Sequence, residues 1–169
     1  MPAPDPRLVP ILPYVRRSHA RFYPRGPFIS ITLAQWIIES AWGTAPSGRN
    51  NFFGIKATAA QVARGDYTER WTHETINGVY RKKIQPFANF DSPADCFDAH
   101  AYLLCQPWYA LCQRAPNPDA YAHALWICHY ATGEPGHPYN QVLISYMRLY
   151  NLYSLDERPP FVLPSSPES

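Results

Sequence analysis

One carboxylate stands out in the sequence. Glu39 sits in the run Ser30 to Gly43, SITLAQWIIESAWG, where nearly every neighbour is apolar. Ile31, Leu33, Ala34, Trp36, Ile37, Ile38, Ala41 and Trp42 leave no polar face wide enough for solvent, which predicts a short helix covered by other elements. Ser30 is the expected N-cap and Gly43 the left-handed residue that ends the helix. Two effects act on a carboxyl so placed: apolar surroundings disfavour its charged form, and the last helical turn carries the negative end of the macrodipole. Both raise its pKa. A glutamic acid that keeps its proton near neutrality is what a general acid needs to protonate a poor leaving group such as a glycosidic oxygen. The competing reading is a helix-end ion pair with Arg16, Arg17, Arg21 or Arg49.

A second carboxylate, Glu74, lies in WTHETINGVYRKKI. Asn77-Gly78 between two extended runs is a strong hairpin signal, because both residues tolerate the positive φ of a type I′ turn. A two-residue loop there pairs Ile76 with Val79, Thr75 with Tyr80 and Glu74 with Arg81. Glu74 is then either a partner to the acid or one half of an exposed cross-strand ion pair, which is worth little.

Helices are expected to position these groups. Val9 to Tyr23 reads as an amphipathic helix started or interrupted near Pro13, and Pro24, Gly26 and Pro27 break the chain before the Glu39 helix. Asn50 and Asn51 are placed to fix a turn after it. Residues 57–66 carry no clear period. Ser92-Pro93-Ala94-Asp95 opens a helix to about Cys105, Trp108 to Arg114 is a short one, Asn117-Pro118-Asp119 opens another to about His129, and Tyr139 to Tyr150 is the last. The result is an α+β domain, mostly helical, with a small β-hairpin lobe over a cleft suited to an extended ligand. The expected divisions are a Pro-rich lead-in at 1–8, a single domain at 9–155 and a Pro/Ser-rich tail at 156–169.

Composition removes several classes of function. With 169 residues, 46% hydrophobic and 15% aromatic, the chain is long enough for one well-buried core and too apolar to be disordered. A net charge of +2 without a Lys/Arg block carries no nucleic-acid footprint. No apolar stretch is long enough to span a bilayer, and nothing near Met1 resembles an export signal, so membrane insertion is not expected. Cys96, Cys105, Cys112 and Cys128 contain no C-x-x-C; they read as plain buried thiols, with one or two disulfides left open for an exported protein. Cys96, His100, His123, Cys128 and His129 lack the spacing of a known catalytic zinc set, and no metal or cofactor is expected.

Taken in order, TLAQWIIESAWG, NNFFGIKA, ETING, FANFDSPADCFDAH, HYATG and PYNQVL resemble the glucosaminidase domain of glycoside hydrolase family 73, over roughly Arg16 to Leu152. The resemblance implies a lysozyme-like fold and an endo-β-N-acetylglucosaminidase that cleaves the β-1,4 bond after N-acetylglucosamine in peptidoglycan. It implies Glu39 as the catalytic acid, Glu74 as a second acidic residue in the β-lobe and Tyr130 as a tyrosine of the site. Three positions depart from the family pattern. Ala41 replaces a glycine, a change tolerable in a regular helix; His73 stands before the second acid; and Tyr130 to Tyr139 form a longer loop without the usual aspartate, leaving Tyr139 as a second candidate for the tyrosine's role.

Trp42, Asn51, Phe53, Trp71 and Tyr139 are the candidate substrate contacts, the aromatic rings by stacking on sugar faces and Asn51 while bracing its loop. Carboxyls about 6.5–9.5 Å apart would make Glu74 a base with inversion, and about 5 Å would give a covalent intermediate. Attack by the substrate's own N-acetyl oxygen would make Glu74 dispensable, with Tyr130 orienting that group. Muramidase or lytic transglycosylase cleavage on the same fold, and a non-catalytic wall-binding module, are the rival readings. The expected partner is the peptidoglycan glycan strand, met by a monomer acting on the cell wall from the periplasm or outside the cell. A phage-type lysin or non-classical export accounts for the missing signal.

Overall fold

The structure, a computed structural model, describes residues 4–156 apart from 77, 132 and 135, with the backbone alone at 74–76 and 134. Its first two helices are α1 (Leu12–Phe22) and α2 (Ile29–Ser40). Pro13 lies in the first turn of α1, where its missing N–H has no helical partner to lose. α2 is buried along most of its length, from Ile29 through Ile37. It packs against α1, α6 (Pro118–Ile127), α7 (Tyr139–Leu149) and the closing 3-10 turn Leu152–Leu155. An apolar helix without a solvent face has become the axis of the core, as its composition requires.

Both ends of α2 differ from the expected chemistry. Phe28 is the N-cap and Ser30 lies inside the helix, where its hydroxyl is buried without a partner. The capping oxygen comes from the far end of the chain: Asp156 Oδ1 accepts the Ser30 amide at 2.8 Å. At the other end the helix stops before Gly43, because Ala41 already adopts φ 48° and is followed by Trp42 at φ 62° and Gly43 at φ 78°. The helix is therefore not regular at Ala41, and the methyl group there sits in a left-handed conformation that suits glycine.

Between α2 and the later helices come α3 (Ala59–Ala63) and a hairpin of β1 (Tyr67–Ile76) and β2 (Val79–Ala88). The hairpin register has the expected pairs, Ile76 with Val79, Thr75 with Tyr80 and Glu74 with Arg81. Its base is tied to the body by Lys56 bridging to Phe87 and by the Ala88 amide donating to Ile55 at 2.9 Å. α3 is capped by a reciprocal pair, Thr58 and Gln61, a signal present in a stretch with no apolar period.

The helical half continues with α4 (Pro93–Leu104), a 3-10 turn at Pro107–Tyr109 leading into α5 (Ala110–Gln113), and α6. Ser92 and Asn117 cap α4 and α6 as their sequences predict, accepting the amides of Asp95 and Ala120. A short ribbon, β3 (Gly133–Glu134) with β4 (His137–Pro138), then delivers the chain to α7.

The division at residue 9 needs correction. Leu8 is fully buried in the core, and Arg7 lies flat over Trp42 with its guanidinium carbon 3.5 Å from the ring centroid. Asp156 likewise belongs to the folded body through Ser30, and the remaining tail, 157–169, lies outside the described residues. All four cysteines are free thiols. No helix among the described residues is long and apolar enough to cross a membrane.

Candidate active site

Glu39 emerges from the last turn of α2, partly buried, on the wall of a groove of about 530 Å³. Ser47, Phe53, Lys56, Phe87, Leu103, Tyr109 and Tyr130 also line this groove. The competing reading of an arginine partner is not what the structure has. Arg17 and Arg21 reach Asp98, and Arg49 reaches Asp66 and Asp91; among the described residues no ion pair reaches Glu39. Its partner is neutral: the Tyr139 hydroxyl donates to Glu39 Oε1 at 3.1 Å. Burial pushes the Glu39 carboxyl above its ordinary range, and the Tyr139 hydrogen bond pulls part of the way back. The environment therefore favours a carboxyl that retains its proton to higher pH than an exposed glutamate.

Tyr130 and Tyr139, the two candidates for the family's tyrosine, lie side by side. Tyr139, at the start of α7, is buried and holds the acid. Tyr130 stacks on it with ring centroids 5.7 Å apart and presents itself on the groove wall. Burial and the nearby Glu39 carboxyl push both phenols well above their usual values, so both are neutral donors.

Phe53 lines the groove while stacking on His100 at a centroid distance of 3.9 Å. Trp71 is 61% exposed on the hairpin, with the Lys82 ammonium 5.0 Å from its ring. It borders a second groove of about 510 Å³, with Thr44, Pro46, Arg70 and Phe87. The two grooves share Ser47 and Phe87 in their linings and so lie side by side, a bipartite trough with Glu39 on one part and the hairpin residues Arg70 to Thr72 on the other.

Two expected substrate contacts lie elsewhere. Trp42 is covered by Arg7 and packs edge-on against Tyr150 at 4.8 Å, and it lines neither groove. Asn51 is fully buried with its amide used internally: Nδ2 donates to the Ile55 and Ala88 carbonyls, and Oδ1 accepts the Ile55 amide. It ties its own loop to the end of β2 and, fully buried, has no free edge for a ligand. Glu74 enters as a backbone position of β1 opposite Arg81, and its side chain lies outside the described atoms. The loop from Tyr130 to Tyr139 is described in part, with 132 and 135 outside. Among the described residues no group of three or more His, Cys, Asp or Glu is placed to hold a metal ion. His100 is engaged instead with Gln35, its Nε2 lying 2.9 Å from Gln35 Oε1.

Gln35 and His100 were not read from the sequence as parts of the acid's surroundings. The available signal was local: Gln35 is the polar residue four positions before Glu39, hence on the same face of α2.

A helical body whose central helix carries a buried acid, beside a hairpin-edged trough, defines a lysozyme-like glycoside hydrolase domain. The profile of the Glucosaminidase family, described as mannosyl-glycoprotein endo-beta-N-acetylglucosaminidase, matches residues 25–152, and the chain belongs to this family. An autolysin of Enterococcus faecalis is 29% identical over 140 residues, which cover 76% of this chain and 18% of the autolysin. A protein named probable N-acetylmuramidase from Lactococcus lactis subsp. cremoris is 33% identical over 142 residues, 78% of this chain and 31% of that protein. The chain thus spans less than a third of the length of these curated relatives.

Among solved structures, the C-terminally truncated glycoside hydrolase domain of Salmonella typhimurium FlgJ superposes with a TM-score of 0.64 at 29% identity, covering 86% of this chain and 95% of that one. A peptidoglycan hydrolase mutant from Sphingomonas sp. A1 superposes at 0.71 with 25% identity, covering 88% and 95%.

Proposed function

We propose that this domain is a peptidoglycan hydrolase that cleaves a β-1,4 bond of the glycan strand, with Glu39 as general acid. The observation that carries the reading is the position of Glu39: a carboxyl whose pKa burial raises, with a tyrosine and, among the described residues, no arginine as its partner, lining a groove that adjoins the hairpin. Protonation of the bridging oxygen by Glu39 releases the leaving sugar, and the charge that develops on the other ring must be met from the opposite side of the trough. Glu74 lies on the hairpin whose residues Arg70 to Thr72 line the second groove. It is assigned as the second acidic residue on the strength of the family pattern, with Tyr130 on the wall to orient the substrate's acetamido group. Phe53 and Trp71 are the proposed stacking surfaces.

The bond assigned is the one following N-acetylglucosamine, in keeping with the family description; the relatives named as muramidases make the bond after N-acetylmuramic acid the alternative. The chain is proposed to act as a monomer, on the wall, without a cofactor. Digestion of purified peptidoglycan followed by mass spectrometry of the new ends tests this directly. Reducing N-acetylglucosamine ends are expected, and Glu39→Gln should reduce their release about 10²–10⁴-fold, the usual contribution of a positioned general acid. Undiminished turnover by that variant would remove Glu39 from its role.

A further inference from the structure

Behind Glu39 runs an unbroken line of buried hydrogen bonds drawn from three helices. His100 Nε2 on α4 lies 2.9 Å from Gln35 Oε1 on α2, Gln35 Nε2 donates to the Tyr139 hydroxyl at 3.1 Å, and that hydroxyl donates to Glu39 Oε1 at 3.1 Å. Gln35 and His100 are both fully buried, and neither lines the groove. Elements so far apart in sequence are joined end to end by groups with two orientations each, so the direction of the line has to be set somewhere.

His100 sets it. Its ring is neutral, because burial pushes the pKa of its imidazolium down to about 3, and a neutral imidazole carries one N–H. Nδ1 is buried without a hydrogen-bond partner. A hydrogen on Nδ1 would be an orphaned buried donor, which is rarer in proteins than an under-used acceptor and costs about 1–3 kcal/mol. The hydrogen therefore sits on Nε2 and donates to Gln35 Oε1. That fixes the Gln35 amide with its NH₂ toward Tyr139, so the phenol oxygen is already accepting and its own hydrogen is directed to Glu39. The reverse order would aim a phenol lone pair at an ionised Glu39.

We propose that Gln35 and His100 are positioning residues: the single direction His100 to Gln35 to Tyr139 to Glu39 keeps the phenolic hydrogen on Oε1 and so confines the acid's own proton to Oε2. With one oxygen occupied, the proton that Glu39 delivers has one place to ride, and the carboxylate left after delivery meets a donor that is already aligned. The inference rests on Glu39 being the acid. The ionisable groups around Glu39 are Tyr139 on α7, Tyr130 after α6 and, lining the same groove, Lys56 before α3 and Tyr109 ahead of α5. His100 faces Gln35 and the ring of Phe53.

The test needs no substrate for its main readings. Nitrogen NMR of the wild-type imidazole ring is expected to show His100 as the Nε2–H form, neutral down to about pH 3. His100→Phe keeps a ring against Phe53 and frees the Gln35 amide to turn. Tyr139 then divides its hydrogen between residues 35 and 39, and the Glu39 carboxyl, followed by carbon NMR, should bind its proton about three- to tenfold more tightly. The basic limb of the kcat/KM profile should move upward by the same factor. Tyr139→Phe should do likewise, and the double variant should shift no further than Tyr139→Phe alone, since both act on one bond.

A purely structural role for His100 predicts lost stability with the Glu39 titration unmoved, and that result overturns the proposal. So does an Nδ1–H tautomer in the wild-type protein, a reading that does not depend on any variant folding. If Glu39→Gln retains turnover while the NMR results hold, the functional assignment fails and the directed hydrogen-bond line stands.

Discussion

The Tyr139 hydroxyl and Glu39 Oε1 meet at 3.1 Å although the first opens α7 and the second lies in the last turn of α2. The bond lowers a pKa that burial raises, and the net direction remains upward. A folded-state pKa above the ordinary 4.5 means that the folded protein binds this proton more tightly than the unfolded chain. The resulting penalty is absent in acid below that value, grows as pH rises through the interval up to the raised pKa, and stays constant above it. Glu39→Gln is therefore expected to melt at a higher temperature than the wild type at neutral pH and at the same temperature in acid. Calorimetry across that range checks it, and equal melting at every pH would show that burial exerts no such pressure.

Ala41 offers an independent test in the same turn. With φ 48° it occupies a conformation that costs a residue with a Cβ about 1–2 kcal/mol. Glycine removes that cost but adds freedom to the unfolded chain, so Ala41→Gly should raise stability by about 0.5–1 kcal/mol in urea denaturation. A destabilised variant would mean that the methyl group makes a packing contribution larger than the strain.

Leu8, in the expected lead-in, is part of the fold. Leu8 is fully buried, so Leu8→Ala is expected to cost about 2–5 kcal/mol, whereas a substitution in a loose leader would stay within about 0.5 kcal/mol. Equilibrium denaturation separates the two.

Trp71 is exposed beside the second groove, where an aromatic ring has little to do for stability. Trp71→Ala should raise KM for soluble glycan fragments roughly fivefold with kcat nearly unchanged, the signature of a contact made equally in ground and transition states. A fall in kcat with constant KM would instead place the ring at the reacting bond.

The local chemistry was readable in advance. Asn77-Gly78 specified a register that the hairpin keeps, Ser92 and Asn117 announced their helices, and an apolar helix with one glutamate proved to be the central one. What escaped was contact between distant segments. Ser30 looked like a cap because serines often are, yet its amide is claimed by Asp156 from the other end of the chain, and no local pattern encodes that pairing. Trp42 was assigned to the cleft from its neighbourhood, but three successive left-handed residues turn the chain as α2 ends, and the indole lies under Arg7. His100 and Gln35 meet across 65 positions, and only the tertiary fold, with α4 and α2 both packed on α1, makes them neighbours.

The Asp156 contact also decides where the last described residue is held. Nine helical steps separate Ser30 from Glu39, about 14 Å along the axis, so Asp156 clasps one pole of α2 while the proposed acid lies at the other, and the clasp can hold the helix without crowding the groove.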